Sequence, residues 1–166
     1  MILCVDVAYV DATAFAAGVR FDDWSDAAPA QEIVVRVENV EPYVPGQFYR
    51  RELPSILALV DAAPSRPSAI VIDGYVWLDD HRPGLGARLH EALGGDVAVI
   101  GVAKTKFGNA SSSVPLLRGT STTPLFITAA GLPLDDTVAH IRSMHGPHRI
   151  PTLIKRADQL RRAAAR

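Results

Sequence analysis

The chain contains a single cysteine, Cys4, among 166 residues. An internal disulfide is therefore excluded, and the lone thiol fits a reducing compartment, which points to the cytoplasm. Cys4 lies in an apolar run, where it suits a small buried hydrophobe. Long hydrophobic runs are also missing. The longest, Ala69–Ile72 and Val97–Val102, are far too short to cross a membrane. Met1-Ile2-Leu3-Cys4-Val5-Asp6 has no basic segment and carries an acid, which is not the pattern of a signal peptide. There is no Gly-x-Gly-x-x-Gly, no P-loop and no nucleophilic Ser or Cys motif. His81, His90, His140, His145 and His148 show no metal-binding spacing. His145 and His148 flank a helix break, where they suit phosphate.

A net charge of −1 argues against an indiscriminate polyanion binder, but the charge is unevenly spread. Through Ala62 there are four basic residues against ten acidic, a balance of −6; from Ala63 onward there are thirteen against eight, a balance of +5. The first part concentrates carboxylates, and the second is basic enough to touch phosphates. The length predicts one domain over residues 1–166 with a full hydrophobic core.

Ile2–Val7 is nearly all apolar, as in a central strand covered on both faces. Asp6 interrupts it, and Asp11 introduces a turn. Ala14–Phe21 and Ile33–Val40 read as two further strands of a meander. Pro42 and Pro45 then fix φ in a stiff loop that presents Tyr43, and Gly46 allows a sharp turn. Phe48, Glu52, Ile56 and Leu59 recur at helical spacing. Pro54 fits only a first turn or a kink, so the regular helix is expected to start near Glu52.

Ala69–Ile72 reads as a buried parallel strand ending in Asp73-Gly74. A helix follows over Leu85–Leu93, then a strand over Val97–Ala103 ending at Lys104. Phe107–Ser113 is Gly/Asn/Ser-rich and reads as a flexible loop. Leu116–Arg118 and Pro124–Thr128 suit a hairpin or edge strands. Leu134–Met144 and Ile150–Ala165 close the chain as helices. Three antiparallel strands followed by αβαβ is the ribonuclease H-like order: an α/β fold with a mixed central sheet and helices on both faces. The first and fourth strands then run parallel as neighbours, and Asp6 and Asp73 project from the same end of the sheet, where ligands bind.

Taken singly, each aspartate also suits a strand-end cap. As a pair their charges repel unless a cation lies between them. All-oxygen ligands select a hard ion such as Mg²⁺ or Mn²⁺. Glu52 is a carboxylate on an otherwise apolar helix face, which also fits a first-turn glutamate stabilised by the helix dipole. Asp158 follows Ile150 and Ile154 on one face, between Arg156 and Arg161-Arg162; it suits either a surface salt bridge or a further metal ligand. Lys104 suits a solvated strand end or a cation beside a reacting phosphate.

Pro42-Tyr43-Val44-Pro45-Gly46 followed by Arg51-Glu52 resembles the wedge and first helix of the endonuclease V family, the deoxyinosine 3′-endonucleases. Val5-Asp6-Val7, Val71-Ile72-Asp73-Gly74, Ile100-Gly101-Val102-Ala103-Lys104 and Arg149-Ile150-Pro151 leading to Arg156-Ala157-Asp158 fall in the family's order. The resemblance implies a ribonuclease H-like fold and a Mg²⁺- or Mn²⁺-dependent nuclease. Such enzymes cut the second phosphodiester 3′ to inosine in DNA or RNA, leaving 5′-phosphate and 3′-hydroxyl ends. It implies Asp6, Glu52, Asp73 and Asp158 as metal ligands and Lys104 as the catalytic-site lysine. Tyr43 and Pro45 become the wedge, with Gly46 beside them, and Gly74 and Gly84 border the base pocket. The family usually has a segment before the first strand, which this sequence lacks. After Asp73-Gly74 it usually has a second glycine and then His-Pro-Arg; here the histidine position falls on Asp79. Two other classes compete: a non-catalytic member that binds nucleic acid or protein, and a phosphoesterase for small substrates.

Overall fold

A computed structural model describes residues 1–108 and 112–166. The element order is β1 (Ile2–Val10), β2 (Thr13–Phe21), β3 (Gln31–Val37), α1 (Phe48–Asp61), β4 (Ala69–Asp73), α2 (Leu85–Ala92), β5 (Ala98–Ala103), β6 (Val114–Leu116), β7 (Leu125–Ala130), α3 (Leu134–Ser143) and α4 (Thr152–Ala164). The strands form one sheet in the order β3-β2-β1-β4-β5-β7-β6. β1 pairs antiparallel with β2 and parallel with β4, as the apolar runs predict. β5 continues the parallel block, and β7 returns antiparallel beside it.

Alternation along the strands divides the core between two faces. Cys4, Val19, Phe21, Val71 and Ile100 face α3 and α4, where they meet Val138, Ile141, Leu153 and Ala157. Leu3, Val5, Ile70, Ile72 and Val99 face α1 and α2, where they meet Ile56, Leu59, Leu89 and Leu93. Helices therefore cover both faces, and the central strands read as continuous apolar runs because neither side meets water.

Three details differ from expectation. α1 begins at Phe48, with Pro54 inside it rather than in its first turn. Proline lacks the N–H that would bond the Arg50 carbonyl. Arg50 and Pro54 both lie on the exposed side, where water satisfies that group. The expected hairpin forms, but its first strand is β6 at Val114–Leu116 rather than Leu116–Arg118, which places β7 between β5 and β6. The final helix starts after Pro151, at Thr152 rather than Ile150. Residues 109–111 of the expected Phe107–Ser113 loop lie outside the described residues.

Asp11 has φ +52°, which makes the tight β1–β2 turn. At Gly101 in β5, an added Cβ would collide with the backbone of Gly74 and Val76 and with Thr128. The bare strand lets the segment after β4 cross over it. There the Val76 amide donates to Thr128 Oγ1 at 2.8 Å, and the Gly74 amide donates to the Val102 carbonyl at 3.2 Å.

Candidate active site

The β1–β4 register pairs Cys4 with Val71 and Val5 with Ile72. One step further along each strand lie Asp6 and Asp73, level with each other at the carboxyl end of the sheet. Cys4 and Val71 both face α3 and α4, so the two aspartates, two residues on, leave their strands on that same side. α1 crosses the opposite face and buries Glu52 to 8% exposure. Asp6, Glu52 and Asp73 line one small gap with Val5, Val7, Ile56, Ile72 and Leu85; its volume of about 10 Å³ is that of one water-sized sphere.

The surroundings of these carboxylates differ. Asp6 Oδ1 accepts from the Val7 amide at 2.9 Å, and Oδ2 lies 2.8 Å from Arg161 Nε. Burial pushes the Asp6 carboxyl up to about 6; Arg161 opposes the shift, while Asp73 and Asp158 add to it. Asp73 Oδ2 accepts from Lys104 Nζ at 2.7 Å. Glu52 Oε2 is buried without a hydrogen-bond partner among the described residues. Burial first, then the charges of Asp6 and Asp73, push the Glu52 carboxyl up to about 8.

Asp158 stands on α4, where its Oδ1 accepts from Arg161 Nη2 at 2.8 Å and Arg162 Nε at 3.0 Å. Burial opposes ionisation there, but the two arginines outweigh it and hold Asp158 below the usual carboxylate range. Arg161 thus bridges Asp6 and Asp158, and it also donates to the Val7 carbonyl at 3.3 Å. The salt-bridge expectation for Asp158 is realised, yet inside the site rather than out on the surface.

Sequence reasoning treated Arg161 only as a flanking charge, and Arg118 only as a strand end. The Arg118 guanidinium is buried and donates to the carbonyls of Met144, Gly146, His148 and Arg149, which fixes the loop before α4. Arg149 in turn donates to the carbonyls of Lys104 and Pro124. The chain from Arg118 through Arg149 to Lys104 holds the lysine's backbone in place. A buried cation next to Gly119 after a short strand is the only trace Arg118 leaves in the sequence.

Clefts open on both sides of Asp73. One, of about 390 Å³, is lined by Asp6, Asp73, Lys104, Asp158 and the basic residues His148, Arg149, Lys155 and Arg162. The other, of about 360 Å³, is lined by Glu52, Asp73 and Gly74, by Gly46 and Gly84, and by Phe48, Tyr49, Tyr75 and Phe107. Tyr43 does not join the carboxylates. It stands 56% exposed on the Pro42–Gly46 loop, edge-on to Phe48 with ring centroids 6.2 Å apart. Pro45 is exposed beside it. Gly84 caps α2, and its amide donates to the Val76 carbonyl at 2.9 Å.

His90 and His140 stay away from this end: His90 Nδ1 lies 2.7 Å from the Val97 carbonyl, and His140 stacks on Trp24 at 4.7 Å. His145 Nδ1 lies 3.0 Å from Thr152 Oγ1, and His148 alone of the five histidines lines the basic cleft.

Among the described residues no three His, Cys, Asp or Glu side chains are gathered closely enough to hold a metal ion as they stand. Arg161 and Lys104 instead neutralise Asp6 and Asp73. The donors nevertheless suit a hard divalent ion, being all carboxylate oxygens. Glu52, whose Oε2 has no partner among the described residues, lines the water-sized gap with Asp6 and Asp73, and these carboxylates would hold such an ion.

A family model described as Endonuclease V matches residues 1–131, which hold Asp6, Glu52, Asp73 and Lys104. The chain belongs to the endonuclease V family. An endonuclease V from Streptomyces coelicolor is 33% identical over 98% of this chain and 78% of its own. The crystal structure of endonuclease V from Streptomyces avermitilis superposes with a TM-score of 0.78 at 32% identity, covering 98% of this chain and 80% of that one. The Ciona intestinalis endonuclease V, solved with a 24mer DNA containing an inosine followed by a ribo-adenosine, shares the fold at a TM-score of 0.81 and 16% identity, over 98% of this chain and 84% of that one. The ribonuclease H-like architecture expected from the strand order is the architecture of this endonuclease V family. Among the described residues no helix is long and apolar enough to cross a membrane.

Proposed function

We propose that this endonuclease V-family chain is a divalent-metal-dependent nuclease that hydrolyses a phosphodiester 3′ to inosine in DNA or RNA. The reading is carried by one observation: Asp6, Glu52 and Asp73 line a single water-sized gap between two clefts of opposite character. Asp6, Glu52 and Asp73, with Asp158 at the rim, would hold Mg²⁺ or Mn²⁺, which supplies acidified water and charge stabilisation for the leaving oxygen. The remaining work falls to the chain. Lys104, whose ammonium faces Asp73, offsets charge that develops on the scissile phosphate. His148, Lys155 and Arg162 in the basic cleft take the neighbouring phosphates. Tyr43 and Pro45, stiffened by the two prolines, fill the space a base leaves behind. The cleft bordered by Gly46, Gly74 and Gly84 receives that extruded base. Cleavage leaves 5′-phosphate and 3′-hydroxyl ends. The DNA complex of the Ciona intestinalis relative supports inosine-containing nucleic acid as the partner.

The test uses purified protein with Mg²⁺ or Mn²⁺ and matched oligonucleotides with and without one inosine, as DNA and as RNA. An inosine-dependent nick that chelator removes, and that Asp73→Asn reduces by at least about 10²-fold, is the expected result. Binding without nicking under every condition would instead favour a non-catalytic member of the family.

A further inference from the structure

The aromatic cleft holds a cation that the protein leaves unused. Arg88 extends from α2, and its Cζ lies 3.7 Å from the centroid of the Tyr49 ring. Both residues line the cleft that also holds Glu52, Gly74 and Gly84. Arg88 Nε is buried without a hydrogen-bond partner. Among the described residues the guanidinium enters no ion pair and no side-chain hydrogen bond. The other arginine lining this cleft, Arg82, is already paired with Asp79 at 3.4 Å. The arginines of the carboxylate site are likewise paired, Arg161 with Asp6 and Asp158, and Arg149 with two carbonyls.

Stacking occupies one face of the Arg88 fork and leaves its N–H edge as the interacting part. Its Nε, desolvated with no acceptor, is costly to bury, and the Nη groups remain open to a ligand's acceptors. The walls around it are mostly rings and aliphatic carbon, from Phe48, Tyr49, Tyr75, Leu78 and Phe107. They suit a flat heterocycle better than a tetrahedral phosphate. The volume of about 360 Å³ lies in the range of small-molecule pockets. A 6-oxopurine offers a guanidinium two adjacent acceptors, O6 and N7, whereas adenine turns a 6-amino donor to the same place.

We propose that Arg88 is a specificity-determining residue, reading the O6/N7 edge of the extruded purine in this cleft. The inference rests on the reading that the aromatic cleft receives the base. The contact separates 6-oxopurines from adenine but not from one another, since it does not reach the 2-position. It also gives a use to the departure from the family pattern: Tyr75, Leu78 and Arg82, from the altered stretch after Gly74, line the same cleft.

Binding is measured by fluorescence anisotropy in chelator, on one oligonucleotide carrying adenosine, inosine or 7-deazainosine at the same position. Wild type is expected to bind the 7-deazainosine strand about tenfold more weakly than the inosine strand, because the N7 acceptor is gone. Arg88→Met should bind those two strands equally, and Arg88→Lys should recover part of the difference. Equal binding of the inosine and 7-deazainosine strands by wild type would overturn the assignment while leaving an inosine preference intact. An equal loss on all three strands in Arg88→Met, with a shallower salt dependence, would make Arg88 a phosphate contact and overturn it too. If wild type shows no preference for inosine over adenosine, and no nick in the cleavage test, the base-cleft reading fails and takes this proposal with it. If Arg88→Met melts below the assay temperature, Arg88→Lys carries the variant comparison, and an unchanged preference for inosine over 7-deazainosine there overturns the assignment.

Discussion

The two sides of Asp73 are built on opposite rules. On the α4 side the carboxylates have protein partners: Arg161 spans Asp6 and Asp158, Arg162 joins Asp158, and Arg149 Nη2 is spent on backbone carbonyls, although its Nε is unpartnered. On the α1–α2 side the polar groups are left unanswered, with Glu52 Oε2 and Arg88 Nε both buried and unpartnered. A buried polar group without a partner is costly, so a fold keeps it where something from outside completes it. The paired side meets a ligand with carboxylates that protein cations already hold in place. The unpaired side carries the demand for a ligand.

Substitutions can break this contrast, and the largest effect is expected at Glu52. Glu52→Gln should reduce cleavage by about 10²–10³-fold. The same variant tests the unpaired rule by stability. The folded-state carboxyl is raised to about 8 from an ordinary value of 4.5. Between those values the folded protein binds more protons than the unfolded chain, so stability in chelator falls as pH rises from about 5 to about 8. Urea unfolding of wild type across that window should lose on the order of 2–3 kcal/mol, and Glu52→Gln should flatten the decline.

On the paired side the effect is smaller and of another kind. Arg161→Met takes the guanidinium from Asp6 and leaves Asp158 with Arg162 alone, and should cost about 1.5–3 kcal/mol at neutral pH by urea unfolding. Lowering the pH should recover part of that loss, because protonating Asp6 removes its unpaired charge. The smallest effect on stability belongs to Tyr43. As an exposed ring on a loop, Tyr43→Ala should change unfolding free energy by less than about 0.5 kcal/mol. Its effect should instead appear as reduced preference for inosine over adenosine strands in the cleavage assay.

Much of this arrangement is legible in the sequence because apolar runs end abruptly. Ile2–Val5 and Ala69–Ile72 can only be central strands, and the acids that close them, Asp6 and Asp73, mark the end of the sheet. Glu52 is legible as a carboxylate where the helix period demands an apolar residue. Pairing is not legible. The run from Arg156 to Arg162 has the composition of a solvated face, and nothing local says that Arg161 turns inward while Arg156 reaches out to Glu32. Arg88 is equally silent, since its value depends on the ring of Tyr49, supplied by a different helix. The start of α1 is not legible either: Pro54 argues locally for a boundary, whereas packing of Ile56 and Leu59 against the sheet carries the helix through it.

The bridge from Arg161 to Asp6 joins opposite ends of this sequence. During synthesis β1 leaves the ribosome long before α4 does. Until then, Cys4, Val19, Phe21 and Val71 lack part of their cover, and Asp6 has no guanidinium beside it. A nascent chain would therefore carry an unfinished carboxylate cluster. Completion of the hydrolytic centre is timed by the arrival of one late helix.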